Sequence, residues 1–286
     1  MRYQFIDSQK KAWPITLMCE MLDVSTSGYY DWGTREPSAR SRSNEALDGH
    51  IRAIFRRHKG RYGSPRITDD LRDLEVPCSE KRVARRMRHM RLKAVQARKF
   101  KVTTDSNHDK PVAPDLIEQD FSAHAPDQKW VSDITYIWTT EGWLYLAVVM
   151  DLYSRAIIGW SMNTRMTQQL VCDALTMALF RRGFPRSVII HSDRGSQYCS
   201  KRYQRLIAVN RLRCSMGRKA TCYDNAAMES FFHSLKVELV HRELYASRQQ
   251  ARISIFEYIE TYYNRQRKHS AIGNQIPMLF EMKKRA

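Results

Sequence analysis

The sequence predicts an α/β domain built on a mixed five-stranded sheet and preceded by all-α segments. Three patterns predict it. Before residue 95 the apolar residues recur at helical spacing. Residues 128–162 carry three strand-like runs separated by tight turns. After residue 167, apolar runs of strand length alternate with amphipathic stretches of helix length.

The N-terminal stretch PITLMCEMLDVSTSGYYDW (14–32) predicts two short helices. Pro14 suits a first helical turn, and Ser25 can cap the second helix after a turn at Asp23–Val24. Helix, tight turn and short polar helix is the helix-turn-helix pattern, although a plain helical hairpin has the same signature at this length. Residues 44–94 predict three amphipathic helices. Leu47, Ile51 and Ile54 lie at i, i+4 and i+7, and so do Ile67, Leu71, Leu74 and Val83, Met87, Met90. Pro77 breaks the chain before the third of these, and Ser79 is its N-cap. Lys81, Arg82, Arg85, Arg86 and Arg88 surround the apolar stripe of that third helix, followed by Arg91 and Lys93. A basic helix placed second in a helix-turn-helix pair is suited to enter a major groove, which makes these residues candidate DNA contacts. The alternative is a solvated basic face on an ordinary three-helix bundle.

The chain divides accordingly. Residues 1–40 form a short helix-turn-helix-like segment and 44–95 a helix-turn-helix domain. Residues 96–125 are a polar linker containing Pro111 and Pro114. The α/β domain spans 126–240, and 241–286 supply a C-terminal helix and a basic tail. In the α/β domain, KWVSDITYIWTT (129–140) alternates, with Val131, Asp133, Thr135 and Ile137 on one side. GWLYLAVVMDLY (142–153) and RAIIGWSM (155–162) complete an antiparallel meander with turns at Glu141–Gly142 and Tyr153–Ser154. A helix over 167–182, the strand SVII (187–190), a helix over 196–210, a short strand over 211–216 and a helix over 226–240 follow. This order matches a ribonuclease H-like layout.

Composition narrows the function. A net charge of +18 on 286 residues points to a polyanionic partner, with nucleic acid ahead of a membrane surface. Residues 35–110 hold 21 basic against 10 acidic residues, so most of the excess lies in the helical region. The longest apolar run, WLYLAVVM (143–150), is far shorter than the roughly 20 residues that cross a bilayer, and MRYQFIDSQK lacks the apolar centre of a signal peptide. A cytoplasmic, nucleoid-associated protein is expected. Six scattered cysteines, none in C-x-x-C, imply reduced thiols and no zinc site.

Residues 127–240 contain nine acids: Asp127, Asp133, Glu141, Asp151, Asp173, Asp193, Asp224, Glu229 and Glu238. Asp127, Glu141 and Asp151 fall at turns, while Asp173 and Glu238 fall on helices whose exposed faces normally carry charge. Asp133 lies inside a strand among apolar and β-branched neighbours, where an acid costs free energy unless it is paired or metal-bound. Asp193, in HSDRGSQY (191–198), follows the fourth strand. A turn would explain it, and so would a rigidly held metal ligand. The first and fourth strands are neighbours in the proposed sheet, so Asp133 and Asp193 can converge. Glu229 stands one turn into its helix. Three carboxylates suit Mg²⁺ or Mn²⁺ better than zinc, and two such ions would serve an in-line phosphoryl displacement.

WVSDITYI, HSDRGSQY and DNAAMESFFHSLK together resemble the three motifs of the DDE transposase and retroviral integrase superfamily, with 35 residues between Asp193 and Glu229. RYGSPRITDDL and YNRQRKHSAIG extend the resemblance nearly end to end to bacterial insertion-sequence transposases of the IS-three group, specifically their second-frame (OrfB) product. The resemblance implies an integrase catalytic core at 126–240 and a catalytic, metal-binding triad of Asp133, Asp193 and Glu229. It implies a DNA-contacting Lys236, seven residues past Glu229. His191, Gln197, Tyr198, Asp224 and Asn225 match positions near the site. His191 reads equally well as a packed strand-end histidine, and Asn225 reads better as an N-cap than as a ligand. The implied reaction is metal-dependent strand cleavage followed by strand transfer on double-stranded DNA. The implied partners are further copies of the chain on DNA and a first-frame (OrfA) product. A ribonuclease H-like nuclease or resolvase, or an inactive DNA-binding regulator, are the alternatives.

Overall fold

One strand anchors the sheet: residues 130–132 are buried in succession, on both faces, and 135–139 alternate between buried and exposed. A computed structural model describes residues 1–95, 113–118, 120–217 and 226–285. Strands β1 (Lys129–Thr139), β2 (Gly142–Asp151) and β3 (Ile157–Asn163) form the antiparallel meander. Helix α7 (Gln168–Arg182) then crosses to β4 (Ile189–Ser192), which pairs parallel with β1. Helix α8 (Lys201–Val209) leads to β5 (Arg213–Met216), parallel to β4, giving the order β3-β2-β1-β4-β5. The expected adjacency of first and fourth strands therefore holds, and it brings Val131 into register with His191.

Local deviations have local causes. Residues 196–199 are turn rather than helix, because Ser200 takes the N-cap position and its hydroxyl accepts from Tyr203 N. The fourth strand is shifted by two residues and runs to Ser192. Gly159 in β3 permits the close approach of α7, since a Cβ there would stand 2.2 Å from the Ala174 carbonyl oxygen.

Each face of the sheet carries a core. Trp130, Val149, Ile158, Leu175 and Tyr203 pack on the side of α7 and α8. Val131, Leu146, Met150, Phe231 and Leu235 pack on the other side, against α9 (Ala226–Glu238). Residues after 240 are not a tail. They contain α10 (Arg248–Glu257), continued by a π-helical turn at Tyr258–Tyr263, and α11 (Pro277–Arg285), and Tyr245, Ile255, Tyr258 and Tyr263 belong to the same core as α9. The aromatic content of 258–263 is the signal for this, and it lies outside simple helical spacing.

In the N-terminal half, α1 (Arg2–Gln9), not anticipated from the sequence, joins α2 (Ile15–Met21) and α3 (Thr26–Thr34) around Ile6, Met18, Cys19 and Tyr29. Ser25 caps α3 as expected, accepting from Gly28 N at 3.0 Å. Pro14 stands at the N-cap of α2 rather than inside its first turn. Helices α4 (Ala39–Arg57), α5 (Ser64–Asp73) and α6 (Glu80–His89) enclose Leu47, Ile51, Ile54, Ile67, Leu71, Val83 and Met87. Leu74 leaves the predicted stripe and is 46% exposed, because α5 ends one residue before it. Ser79 caps α6 through Arg82 N.

The two halves meet through the motifs RYG (61–63) and YNRQRKH (263–269). The Arg61 guanidinium lies 4.2 Å from the Tyr262 ring centroid, and its Nε donates to Glu238 O. Tyr62 hydroxyl accepts from Lys268 N at 2.8 Å and stacks beneath His58 at 3.7 Å. Lys268 Nζ reaches Asp73 at 2.6 Å and Asp70 at 3.1 Å. Glu238, expected on an exposed helix face, is buried and accepts from Arg267 Nε and Nη2, with Arg66 at 3.7 Å.

His269 closes this interface. Its Nδ1 accepts from Ala271 N, which requires an unprotonated nitrogen. Burial, reinforced by Arg267, Arg155 and Arg66, pushes its pKa down from 6.5 to about 3. The folded state then refuses a proton that the unfolded chain accepts, so stability is full above pH 6.5 and falls as pH drops towards 3. The expected loss is up to about 1 kcal/mol per pH unit. His269→Asn, which keeps a capping oxygen, should flatten that slope in urea titrations run between pH 7 and 4.

Candidate active site

Asp133 lies at the middle of β1, paired across the sheet with Val148, and is only partly exposed. Its Oδ1 accepts from Ile134 N at 2.7 Å. Burial and then the nearby Asp193 carboxylate drive its pKa well above the usual carboxylate range, with a smaller push from Glu229 and an opposing pull from Lys236. The two strand acids are therefore close enough to repel each other. That repulsion is the electrostatic signature of a place that lacks positive charge.

The turn after β4 holds Asp193. Its Oδ1 accepts from Gly195 N at 2.9 Å, an Asp side chain imitating a turn, which ends the strand at Ser192. The turn explanation of this acid holds, and the turn leaves its carboxylate near enough to Asp133 to act on it electrostatically. Gly195 is required by the same geometry, since a Cβ there would stand 2.9 Å from Asp193 Oδ1. Arg194 turns away and donates through Nε to Gly217 O at 2.6 Å.

Glu229 occupies the first turn of α9, a position favoured for an acid at a helix N-terminus, and the residue is exposed overall while its carboxyl is partly desolvated. Burial raises its pKa. Among the described residues no three His, Cys, Asp or Glu side chains stand close enough together to form a metal cage as they are. Asp133 and Asp193 converge, and Glu229 reaches them through its field. Two turns along α9, Lys236 is partly buried and its Nζ lies 5.0 Å from the Tyr136 ring centroid. Burial lowers its pKa, opposed by Tyr136 and Asp133.

The neighbours sort themselves by burial. His191 is a packed histidine, 2% exposed, with Nδ1 2.8 Å from Ser215 Oγ. Tyr198 is buried and shares a hydrogen bond of 3.1 Å with Ser132 Oγ, directly before Asp133 in β1. Gln197 Nε2 donates to Met166 O. Asp224 and Asn225, and with them the N-cap expectation, lie outside the described residues. Tyr136 was not singled out in the sequence, and strand alternation puts it on the face opposite Asp133, so only the Lys236 contact shows its nearness to the site.

Family models describing an integrase core domain match residues 123–222 and 229–284, and one describing an HTH-like domain matches 42–100. Transposase InsF for insertion sequence IS3A of Escherichia coli (strain K12) is 51% identical over 285 residues, which cover 99% of each chain. The chain belongs to the IS3 family of transposases. A 31 kDa protein of insertion element IS600 from Shigella sonnei is 45% identical over 266 residues, covering 93% of this chain and 98% of its own. The solved HTLV-2 integrase catalytic core in complex with magnesium is 16% identical with a TM-score of 0.44, covering 56% of this chain and 99% of that chain. The transposase is thus a member of the DDE polynucleotidyl transferase superfamily, carrying an integrase core and an HTH-like domain. No described helix of the transposase is long and apolar enough to cross a membrane.

The five basic candidates on α6 do not share one surface. Lys81, Arg85 and Arg88 are exposed. Arg86 turns inward to α4, donating to both carboxylate oxygens of Asp48 at 2.8 and 2.6 Å. Arg82 likewise reaches Asn44 Oδ1 at 2.9 Å and Ser43 Oγ at 2.8 Å. Five cations within a ten-residue helix gave no way to tell these groups apart in the sequence, because the partners lie 38 or 39 residues upstream.

Proposed function

We propose that this transposase cleaves and joins DNA at insertion-sequence ends with Asp133, Asp193 and Glu229 as its catalytic carboxylates. The observation that carries this is the convergence of two carboxylates, Asp133 desolvated inside β1 and Asp193 in the turn after β4. The donor set is all carboxylate oxygen, which fits Mg²⁺ or Mn²⁺, and Asp133, Asp193 and Glu229 would hold two such ions. Bound there, the ions would neutralise the acids and supply charge stabilisation to an in-line phosphoryl displacement.

The reaction has two parts. Hydrolysis of one phosphodiester at the element end frees a 3′-hydroxyl. That hydroxyl then attacks a phosphodiester of the target, forming one bond and releasing one strand end. The chain's own contribution is placement. Asp133 sits in a strand, Asp193 in the turn that ends β4 and Glu229 in the first turn of α9, and Lys236 offers a cation beside them to a DNA phosphate. Helix α6 holds the duplex through Lys81, Arg85 and Arg88, while Arg82 and Arg86 keep α6 on α4. Several copies assembled on double-stranded DNA, with an OrfA partner or fusion, would bring two ends together in the bacterial cytoplasm.

The test is an end-labelled strand-transfer assay on cognate element-end DNA with Mg²⁺, comparing the wild type with Asp193→Asn. Joined products from the wild type alone support the proposal. Cleavage without joining by the wild type points to a nuclease or resolvase, and equal behaviour of both proteins points to a regulator.

The division of α6 is tested separately. Arg85→Ala with Arg88→Ala should weaken DNA binding and reduce the salt slope of log K by about 0.9 per lost phosphate contact, without loss of stability. Arg86→Ala should instead cost roughly 3 kcal/mol of stability, because it leaves the buried Asp48 carboxylate unpaired.

A further inference from the structure

We infer that the free end of the β1–β2 hairpin is a stacking site for unpaired DNA bases, which the triad assignment does not include. Three large aromatic side chains are exposed there: Trp138 (59%), Trp143 (43%) and Tyr136 (40%). Trp138 and Trp143 are direct cross-strand partners with ring centroids 4.8 Å apart and planes at 73°. Tyr136 meets Trp143 edge-on at 5.0 Å. Exposed rings clustered in this way mark a binding surface rather than scattered surface apolar residues.

Position and charge select the occupant. Strand β4 pairs with β1 only at Lys129–Val131, so from Ser132 onward no strand among the described residues pairs with that edge of β1. Side chains alternate along β1, so Tyr136 and Trp138 project from the face opposite Asp133, and Lys236, which neighbours both Tyr136 and Asp133, links the two across the open edge. A groove of about 730 Å³ runs between Trp138 and the end of α9, and His241 and Arg242 line its opposite wall. Arg242 Nη1 also donates to Lys59 O, which ties that wall to the helical half. Lys236 stands over the Tyr136 ring at the inner end.

Trp138 in a groove also lined by His241, Arg242 and Glu243, with Lys236 beside Tyr136 at its inner end, offers a nucleotide a ring for its π-face and cations for its phosphate. A paired base in a duplex has both faces covered by its neighbours, so the rings are selective for bases that have left the stack. A second copy of the chain is the poorer occupant, because it would bring another +18 of charge to a cationic rim. The site therefore takes unpaired nucleotides of a strand that passes the acids. This goes beyond the proposed chemistry, and its test contains no cleavage step.

The experiment uses the full chain without divalent ions and two 3′-labelled probes of equal length and charge, an oligothymidylate 12-mer and an abasic 12-mer. Anisotropy titration should show oligothymidylate bound on the order of tenfold more tightly or better, since each stacked base contributes about that much. Trp138→Ala with Trp143→Ala should abolish the preference and leave affinity for the abasic probe unchanged. Trp138→Tyr with Trp143→Tyr, which keeps the π-faces, should retain it. Equal affinity of the wild type for both probes overturns the proposal, and so does a preference that survives the double alanine variant. A change of mass in light scattering on alanine substitution, with the preference intact, would assign the patch to contact between copies and overturn it as well.

Discussion

Asp133→Asn is expected to abolish strand joining and, without divalent ions, to make the folded transposase more stable. Asp133 is held where burial and the Asp193 carboxylate both disfavour its charge. Its folded pKa lies above the ordinary value, so the contribution of this one group to stability is greatest at low pH and declines as pH rises above about 4, opposite in sign to that of His269. Asparagine keeps the shape and the acceptor for Ile134 N while removing the charge. The expected gain is about 1–2 kcal/mol at neutral pH, with a flatter pH dependence. Joining should fall by roughly 10³-fold, the scale seen when a preorganised electrostatic group is lost. Mg²⁺ or Mn²⁺ should raise the unfolding midpoint of the wild type by mass action and that of the variant much less. Denaturation with and without the ion, set beside the joining assay, separates the outcomes. A variant that is destabilised without ions, or that still joins, sinks the assignment of Asp133.

The second large effect concerns the join between the halves. Arg267→Met should cost about 3–5 kcal/mol in urea denaturation, because it removes the cation that both Glu238 carboxylate oxygens face. Arg66 at 3.7 Å and the Tyr258 hydroxyl, which donates to Glu238 Oε2 at 2.9 Å, cannot replace it. Glu238→Gln with Arg267→Met should recover much of that loss, since no unpaired buried charge remains, and the double-mutant cycle measures the coupling directly. Glu238 is also the last residue of the helix that carries Glu229 and Lys236. Loosening it should therefore lower joining as well as stability. An Arg267→Met protein as stable as the wild type would mean that the halves are held elsewhere.

Much of the candidate site was legible because its signals are local. An acid in an alternating strand is anomalous on sight, and Asp193 before Gly195 announces a turn within three residues. Helix starts at Ser25 and Ser79 follow from capping oxygens that bond backbone three residues on. By contrast, Glu238 and Asp173 look alike as helix-borne acids, yet Glu238 is buried in an ion cluster. Arg85 and Arg86 are adjacent cations, and only one of them faces α4. Nothing within a helical window distinguishes these pairs.

The sequence by itself determined the order of the five strands and of the helices between them, and the three acidic motifs. These rest on period, caps and spacing, which act over a few residues and survive in any context that buries the apolar face. Only the tertiary structure decided that residues 241–285 complete the core, that Arg61 docks on a carbonyl 177 residues away, and which cations of α6 remain exposed. A charged side chain takes the partner that removes most of its desolvation cost, and that partner is set by which surfaces meet rather than by neighbours in the chain.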